Sequence, residues 1–367
     1  MKVPFFRYDW FFEENRDEMM AELDAIMSSG KYVNGEYTRK LEQKLAEICD
    51  RKYAVATGSC TDALFFALQT AGIKQGDEVI LPPLSFVATL DSILRCGATP
   101  VFVDISAEHF MLDADSLEKA VTPRTKAIVL VQLFGNCHPQ QEQIRDIAQR
   151  HGIPLIEDAA QALGANEKNT PAGKIGNLSC ISFDPTKIVS AYGTGGAVLT
   201  DDEAEYAMIK KIVNHGLENG VPQIAGYNSK ISETQAAMLL AQLEKLPQTI
   251  SRMNEVAKRY YSLLDGIAGI TLPQHCSSPN FHKFVIQADM RDELRIFLKG
   301  NGIETKIHYP TLLSEQKILD GRKFLKHNLS NAQIATKKVL SLPIWPSISE
   351  AETLYVCECI KRFYALS

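Results

Sequence analysis

The sequence predicts an α/β protein: a large N-terminal domain on a mainly parallel sheet, residues 1–246, then a smaller C-terminal α+β domain, residues 247–367. Three observations predict it. The 367 residues exceed one ordinary hydrophobic core. From Tyr53 to Ile156, short apolar runs alternate with amphipathic stretches of helical period. Beyond about Leu246 this alternation gives way to a different order of elements.

Residues 14–28 carry Met19, Met20, Leu23, Ile26 and Met27 at helical spacing, ending near Gly30. A turn over 31–35 leads to a second helix, 37–50, with Leu41, Leu45 and Ile48 on one face. Strands are then expected at 53–56, 78–81, 100–103, 127–131 and 154–156, and helices between them at about 59–70, 86–96, 114–120 and 139–151. Two more strands, around Ser182 and Val198, extend the sheet. After a helix over 203–213 and a glycine-containing loop, 214–230, a helical zone runs to about Leu264, broken or kinked at Pro247. The small domain reads as strand 283–288, helix 291–299 and strand 304–308, then a mobile-looking stretch, 311–326, and helices near 331–340 and 349–364.

Composition narrows the function classes. Hydrophobic content of 45% and charged content of 23% are those of a soluble globular protein. The net charge of -5 argues against a general nucleic-acid binder, while leaving room for an anionic small molecule in a local pocket. The N-terminus is not a signal peptide, and no segment approaches the ~18 apolar residues of a membrane span. Eight cysteines, several in apolar contexts, suit reduced core thiols in a cytoplasmic protein. Cys357 and Cys359 are the only close pair and have no second ligand pair, so no metal site is expected.

The chemistry gathers at the carboxyl ends of the expected strands, where ligands of such sheets bind. Lys187 lies in a turn between two apolar strands, beside Gly193, Gly195 and Gly196. By itself it reads as a solvated loop lysine. Ser59, Cys60 and Thr61 open a helix, whose free N–H groups suit a phosphate, although Ser59 could simply cap it. Phe86 begins the next helix, against a planar ligand or in the core. Asp158 ends a buried-looking strand and needs a partner, either a cationic ring nitrogen or a side chain. Ser182 adds a hydroxyl to the same anion or bonds its own strand. Together, a phosphate cradle, an aromatic, a carboxylate and a lysine are what a pyridoxal 5′-phosphate (PLP) site requires: the lysine holds the aldehyde as a Schiff base and the carboxylate keeps the pyridine nitrogen protonated.

Ordered motifs along the chain carry a resemblance. They include the turn 31–36, Gly72 to Leu81, Gly97 to Asp104, Ile156 to Gln161, Ser182 to Lys187, Asn214-His-Gly216, Gly226-Tyr-Asn228 and Gln235-Ala-Ala237. The small domain adds Gly302 to Thr305, His308-Tyr-Pro310 and Ser341-Leu-Pro343. With these the sequence resembles the DegT/DnrJ/EryC1/StrS family of PLP-dependent nucleotide-sugar aminotransferases, of the aspartate aminotransferase-like fold type I. The resemblance implies that Lys187 is the Schiff-base lysine, Asp158 the partner of the pyridine nitrogen, Gln161 the residue beside the ring hydroxyl and Phe86 the stacked aromatic. It places Ser59, Cys60, Thr61 and Ser182 at the phosphate, and Asn228 at the phosphate of a partner subunit's site, hence a homodimer with shared active sites. Tyr32, Asn34, His308 and Tyr309 are substrate candidates by position; for His308 and Tyr309 a structural role at the domain junction stays open. Three residues depart from the family pattern: Cys60 for a glycine, Thr194 for an acidic residue and Lys230 for an arginine.

The implied reaction moves an amino group, from glutamate as donor, to a keto sugar attached to a nucleotide, in amino-sugar biosynthesis for a surface polysaccharide or a secondary metabolite. Lys187 would shuttle the proton between the donor's α-carbon and the cofactor's C4′. Two rivals remain at this point. Sugar dehydratases of the family carry histidine where Lys187 stands, and a non-catalytic PLP-binding regulator would need a DNA-binding region that the chain does not display.

Overall fold

The computed structural model describes residues 1–366. Eight strands form one sheet in the order Tyr53–Thr57, Gly196–Thr200, Leu178–Ser182, Leu155–Asp158, Thr125–Val131, Glu78–Leu81, Thr99–Phe102 and Leu325–Lys326. Every neighbouring pair is parallel except those of Gly196–Thr200, which runs against both flanking strands. The inner strands are buried along their whole length apart from Lys126, near the start of Thr125–Val131, as a sheet covered on both faces requires. Helix Cys60–Thr70 covers one face with Leu64, Phe66 and Leu68. Helices Ala114–Ala120 and Gln141–Arg150 cover the other with Leu117, Ile144 and Ile147.

A separate three-stranded antiparallel sheet, Ile270–Thr271, Phe284–Ala288 and Val339–Leu342, packs with helices Leu246–Leu264, Arg291–Gly300 and Glu350–Leu366 around Trp345, Tyr260 and Phe284. Cys357 and Cys359 lie buried in this core, so their spacing serves packing. The N-terminus joins it too: Val3 bridges to Ile303 and is fully buried.

Four expectations need correction. Residues 304–308 do not form a strand; only Lys306 bridges, to Ser341. The place beside Phe284–Ala288 is taken by Val339–Leu342, where the helix Ser330–Lys338 has already ended. Leu342 precedes Pro343, and a residue before proline disfavours helix. The stretch 311–326 is packed rather than loose: Leu312, Leu313 and Leu319 are buried, and its end supplies the edge strand Leu325–Lys326. Pro247 kinks nothing. It stands in the first turn of Leu246–Leu264, where its missing N–H costs no hydrogen bond; the expected break is present but falls at Lys245, after helix Glu233–Glu244.

One buried carboxylate fixes the chain before the sheet. Glu233 accepts from the N–H groups of Gly35, Tyr37 and Thr38 and from the Thr38 hydroxyl, capping helix Glu36–Ile48 from outside its own sequence.

Candidate active site

The carboxyl ends of the parallel strands open into a cavity of about 390 Å³, also lined by His282, Lys283, Lys306 and His308 of the small domain and by Phe5, Phe6 and Tyr8 of the N-terminal segment. Its size is that of a small-ligand site. Strand Tyr53–Thr57 delivers the start of helix Cys60–Thr70 to it, and Ser59 caps that helix by accepting from Asp62 N at 3.1 Å. Capping and an anion cradle therefore coexist: Ser59 Oγ serves the helix, and the N–H groups of Cys60 and Thr61 begin the turn that lacks intrahelical carbonyls. Of the glycine cluster, Gly196 is explained by backbone contact. A Cβ on Gly196 would lie 2.5 Å from Cys60 N and 2.7 Å from Ser59 C, so only glycine lets this strand seat the helix start.

Asp158 ends strand Leu155–Asp158 and is buried at the cavity wall. Its Oδ2 accepts from the Thr89 hydroxyl at 2.7 Å and its Oδ1 from Ala160 N at 3.2 Å. No cationic side chain pairs with it among the described residues, which removes the side-chain salt bridge. Burial raises its pKa, and the Thr89 and Ala160 bonds and the Lys187 charge oppose that rise. Lys187 lines the same cavity from the turn between Leu178–Ser182 and Gly196–Thr200, half-buried, with no ion pair among the described residues. Burial lowers its pKa, against the pull of Cys60, Asp158 and Asp184. A lysine driven toward neutrality beside a carboxylate short of a cation is an arrangement for proton transfer on a bound electrophile.

The other expected residues divide. Phe86 is 56% exposed, so it is not a core residue; its ring faces the cavity 6.3 Å from that of Tyr309. Gln161 donates to the Tyr309 hydroxyl at 3.1 Å and accepts from Phe134 N at 2.9 Å, so its amide is held in one orientation. Ser182 lines the wall and accepts from Asp184 N at 3.3 Å. His308 lines it as well, with Nδ1 2.8 Å from Ser341 Oγ, and burial beside Lys283 and Lys306 pushes its pKa down to about 3. Tyr32, Asn34 and Asn228 are exposed and stand outside this cavity. Of the departures, Cys60 and Thr194 line it, and Lys230 bonds Asn214 Oδ1 at 2.8 Å.

Sequence reasoning missed Thr89, Lys283, Lys306 and Phe5, all of which line the cavity. Thr89, whose hydroxyl lies 2.9 Å from that of Ser85, gave no signal as an ordinary threonine inside a helix. Phe5, near the chain start, gave none either.

Fold and site together place a half-buried lysine and a buried carboxylate on one cavity at the strand ends of an α/β protein. The chain belongs to the DegT/DnrJ/EryC1/StrS aminotransferase family, whose model matches residues 13–361, and it is an aminotransferase. It is 38% identical to a pleiotropic regulatory protein of Geobacillus stearothermophilus over 99% of both chains. It is 35% identical to the dTDP-3-amino-3,4,6-trideoxy-alpha-D-glucose transaminase of Streptomyces venezuelae, over 99% of this chain and 96% of that one. It is 33% identical to the 3-oxo-glucose-6-phosphate:glutamate aminotransferase of Bacillus subtilis, over 97% and 82%. Among solved structures, S. venezuelae DesV in complex with a ketimine intermediate superposes with TM-score 0.95 at 35% identity, covering 99% of this chain and 98% of that one. Bacillus subtilis NtdA with bound cofactor PMP gives 0.92 at 31%, covering 99% and 85%.

Proposed function

We propose that this aminotransferase uses pyridoxal 5′-phosphate to move an amino group from glutamate to a keto sugar attached to a nucleotide, in amino-sugar biosynthesis. The observation that carries the reading is Lys187 and the cation-deficient Asp158 on one cavity, with a helix start on the same cavity for a phosphate. The cavity suits the cofactor in each part: a helix N-terminus for the phosphate, an exposed aromatic for a ring face and a buried carboxylate for a ring cation. When bound, the cofactor supplies an aldehyde that takes up the amino group and a ring that accepts electrons from the carbon beside it.

The chain's own residues then have distinct tasks. Asp158, oriented by Thr89 and Ala160 N, would hold the ring nitrogen's proton. Phe86 would cover one ring face, and Gln161, locked by Phe134 N and Tyr309, would sit beside the ring hydroxyl. Cys60 and Thr61 N–H, with the Ser59 and Ser182 hydroxyls, would bind the phosphate. Lys187 would carry the cofactor and, as a free amine, take the proton from the donor's α-carbon; its lowered pKa favours the neutral form this needs.

Glutamate as donor and a nucleotide-linked sugar as acceptor are supported by what the similar enzymes are named for. A homodimer is supported by Asn228, which is exposed outside this chain's own cavity and so available to a second subunit's site. No helix among the described residues is long and apolar enough to cross a membrane. The eight unpaired cysteines support placement in the reducing cytoplasm. Similarity to a regulatory protein keeps a regulator as the second reading, against which stands the lysine beside the carboxylate.

The deciding experiment adds glutamate alone to the PLP-loaded protein and follows cofactor absorbance, then supplies a panel of nucleotide keto sugars and detects amino sugar by mass. Lys187→Ala is expected to abolish turnover. Near-normal transfer by that variant would sink the assignment of Lys187, and no absorbance change with any amino donor would favour the regulator.

A further inference from the structure

We propose that Lys283 and Lys306 form an anion subsite on the small-domain wall of the cavity, and that it takes a carboxylate of the amino donor. The inference rests on the aminotransferase reading and names residues for its donor.

Lys283, buried immediately before strand Phe284–Ala288, and Lys306, exposed, both line the cavity. Their ammonium groups stand over one ring, that of Phe5, at 5.4 Å and 4.9 Å from its centroid. The ring is anchored: Phe5 N donates to Glu304 Oε2 at 3.0 Å, and Val3 pairs with Ile303. Neither lysine has an ion pair or a side-chain hydrogen bond among the described residues. An aromatic face is a weak substitute for a counter-ion around a desolvated ammonium.

The groups facing Lys283 leave it short of negative charge. Lys187 and Lys306 act on it with like charge, and Asp184 is the acidic group that opposes them. Burial together with those two lysines lowers its pKa to about 7. His282, fully buried, and His308 stand beside it, both held neutral by burial. An anion entering this wall meets two unpaired ammonium groups and no competing partner.

Position selects the anion. Lys283 and Lys187 line the same cavity, so an anion on Lys283 shares that space with the reacting amine. In an amino acid the carboxylate is bonded to the very carbon that reacts. In a nucleotide sugar, ring atoms separate the diphosphate from the ketone, which puts that anion further off. The carboxylate is therefore the group this pair of lysines is placed to meet.

The test uses PLP-loaded protein and glutarate, which has the donor's two carboxylates and no amine. Titration calorimetry should show glutarate binding that weakens about tenfold or more in Lys283→Met, the loss of one charge-assisted contact. The KM for glutamate should rise by a similar factor while the KM for the nucleotide keto sugar moves less than about twofold. Lys306→Glu, a change at an exposed residue that leaves the core intact, should weaken glutarate further than Lys306→Met and keeps the test alive if Lys283→Met does not fold. Unchanged glutarate affinity in Lys283→Met and Lys306→Glu would overturn the subsite while leaving amine transfer standing. A rise confined to the sugar's KM would overturn it in favour of the diphosphate. Loss of amine transfer in the unaltered protein, with glutarate still bound through these lysines, would instead sink the aminotransferase reading.

Discussion

Replacing Asp158 with Asn should have opposite effects on the cofactor-free and the cofactor-loaded protein. The substitution keeps the local bonds. Oδ1 still accepts from Ala160 N, and the new amide N–H can donate to Thr89 Oγ1, whose own proton turns to Ser85 Oγ, 2.9 Å away. Only the charge is lost. In the cofactor-free protein that charge is buried without a cationic partner, and its folded-state pKa is raised above the ordinary 3.8 by desolvation. The folded state therefore holds this proton more tightly than the unfolded one, so wild-type stability falls as pH rises from 3.8 through the raised value. The Asp158→Asn variant is flat over that window. Its cofactor-free form should be about 1–3 kcal/mol more stable than wild type at pH 8, the cost of a poorly satisfied buried charge. In the loaded protein the carboxylate has its ring cation, and removing one partner of a buried pair costs about 3–5 kcal/mol, or roughly 10²–10⁴-fold in affinity. Urea unfolding of the cofactor-free protein between pH 5 and 8, with absorbance titration of PLP, measures both. If the Asn variant is less stable than wild type at both pH values and binds PLP equally well, the carboxylate serves structure and the argument fails.

Three further perturbations test other parts of the site. Gly196→Ala puts a Cβ 2.5 Å from Cys60 N, so the helix start must shift; a loss of about 1–3 kcal/mol in urea unfolding and weaker PLP binding are expected. Glu233→Gln keeps an oxygen for the Gly35 and Thr38 donors but puts an amide N–H₂ against the Tyr37 N–H that Oε2 now accepts; about 1–3 kcal/mol of stability should go, with the thermal midpoint as readout. Lys283 has a folded pKa of about 7 against an ordinary 10.5, so the unfolded state binds more protons between those values and the cofactor-free protein should gain stability as pH rises across them. Lys283→Met should flatten that slope, and an unchanged slope would show that the ammonium is not buried in solution.

How much of this was legible in the sequence depended on what each residue would cost in the wrong place. Asp158 was legible because a carboxylate that ends a buried-looking strand needs a partner, whereas Lys187, alone a solvated loop lysine, became legible only beside Asp158, Phe86 and the helix start at Ser59. The strand ends that carry Ser59, Phe86 and Ser182 followed from the alternation of short apolar runs with helical ones. Thr89 was not legible, since a threonine inside a helix is ordinary until its hydroxyl is seen on Asp158. Residues 339–342 were hidden because Val-Leu-Ser-Leu continues the apolar pattern of the helix before it, and only their place beside Phe284–Ala288 makes them a strand. Phe5 and Lys306 meet over about 300 residues of chain, a closeness that no local pattern encodes.

The protein's own groups hold the site together against its electrostatics, and this links stability to chemistry. Burial pushes Asp158 up, and Lys187 and Lys283 down, each toward its neutral form. The three groups share one cavity without a formed ion pair among the described residues, although Asp158 and Lys187 each oppose the other's shift. A ring cation would restore the charge of Asp158, a carboxylate that of Lys283, and both would leave Lys187 as the group free to move a proton. Ligands of that charge pattern should therefore stabilise the protein beyond their contact area, in proportion to the charge each one returns to its residue. Thermal midpoints with PLP alone, glutarate alone and both together separate these contributions. Additive shifts for PLP and glutarate in wild type, with the glutarate part missing from Lys283→Met, are what independent compensation of two buried charges requires.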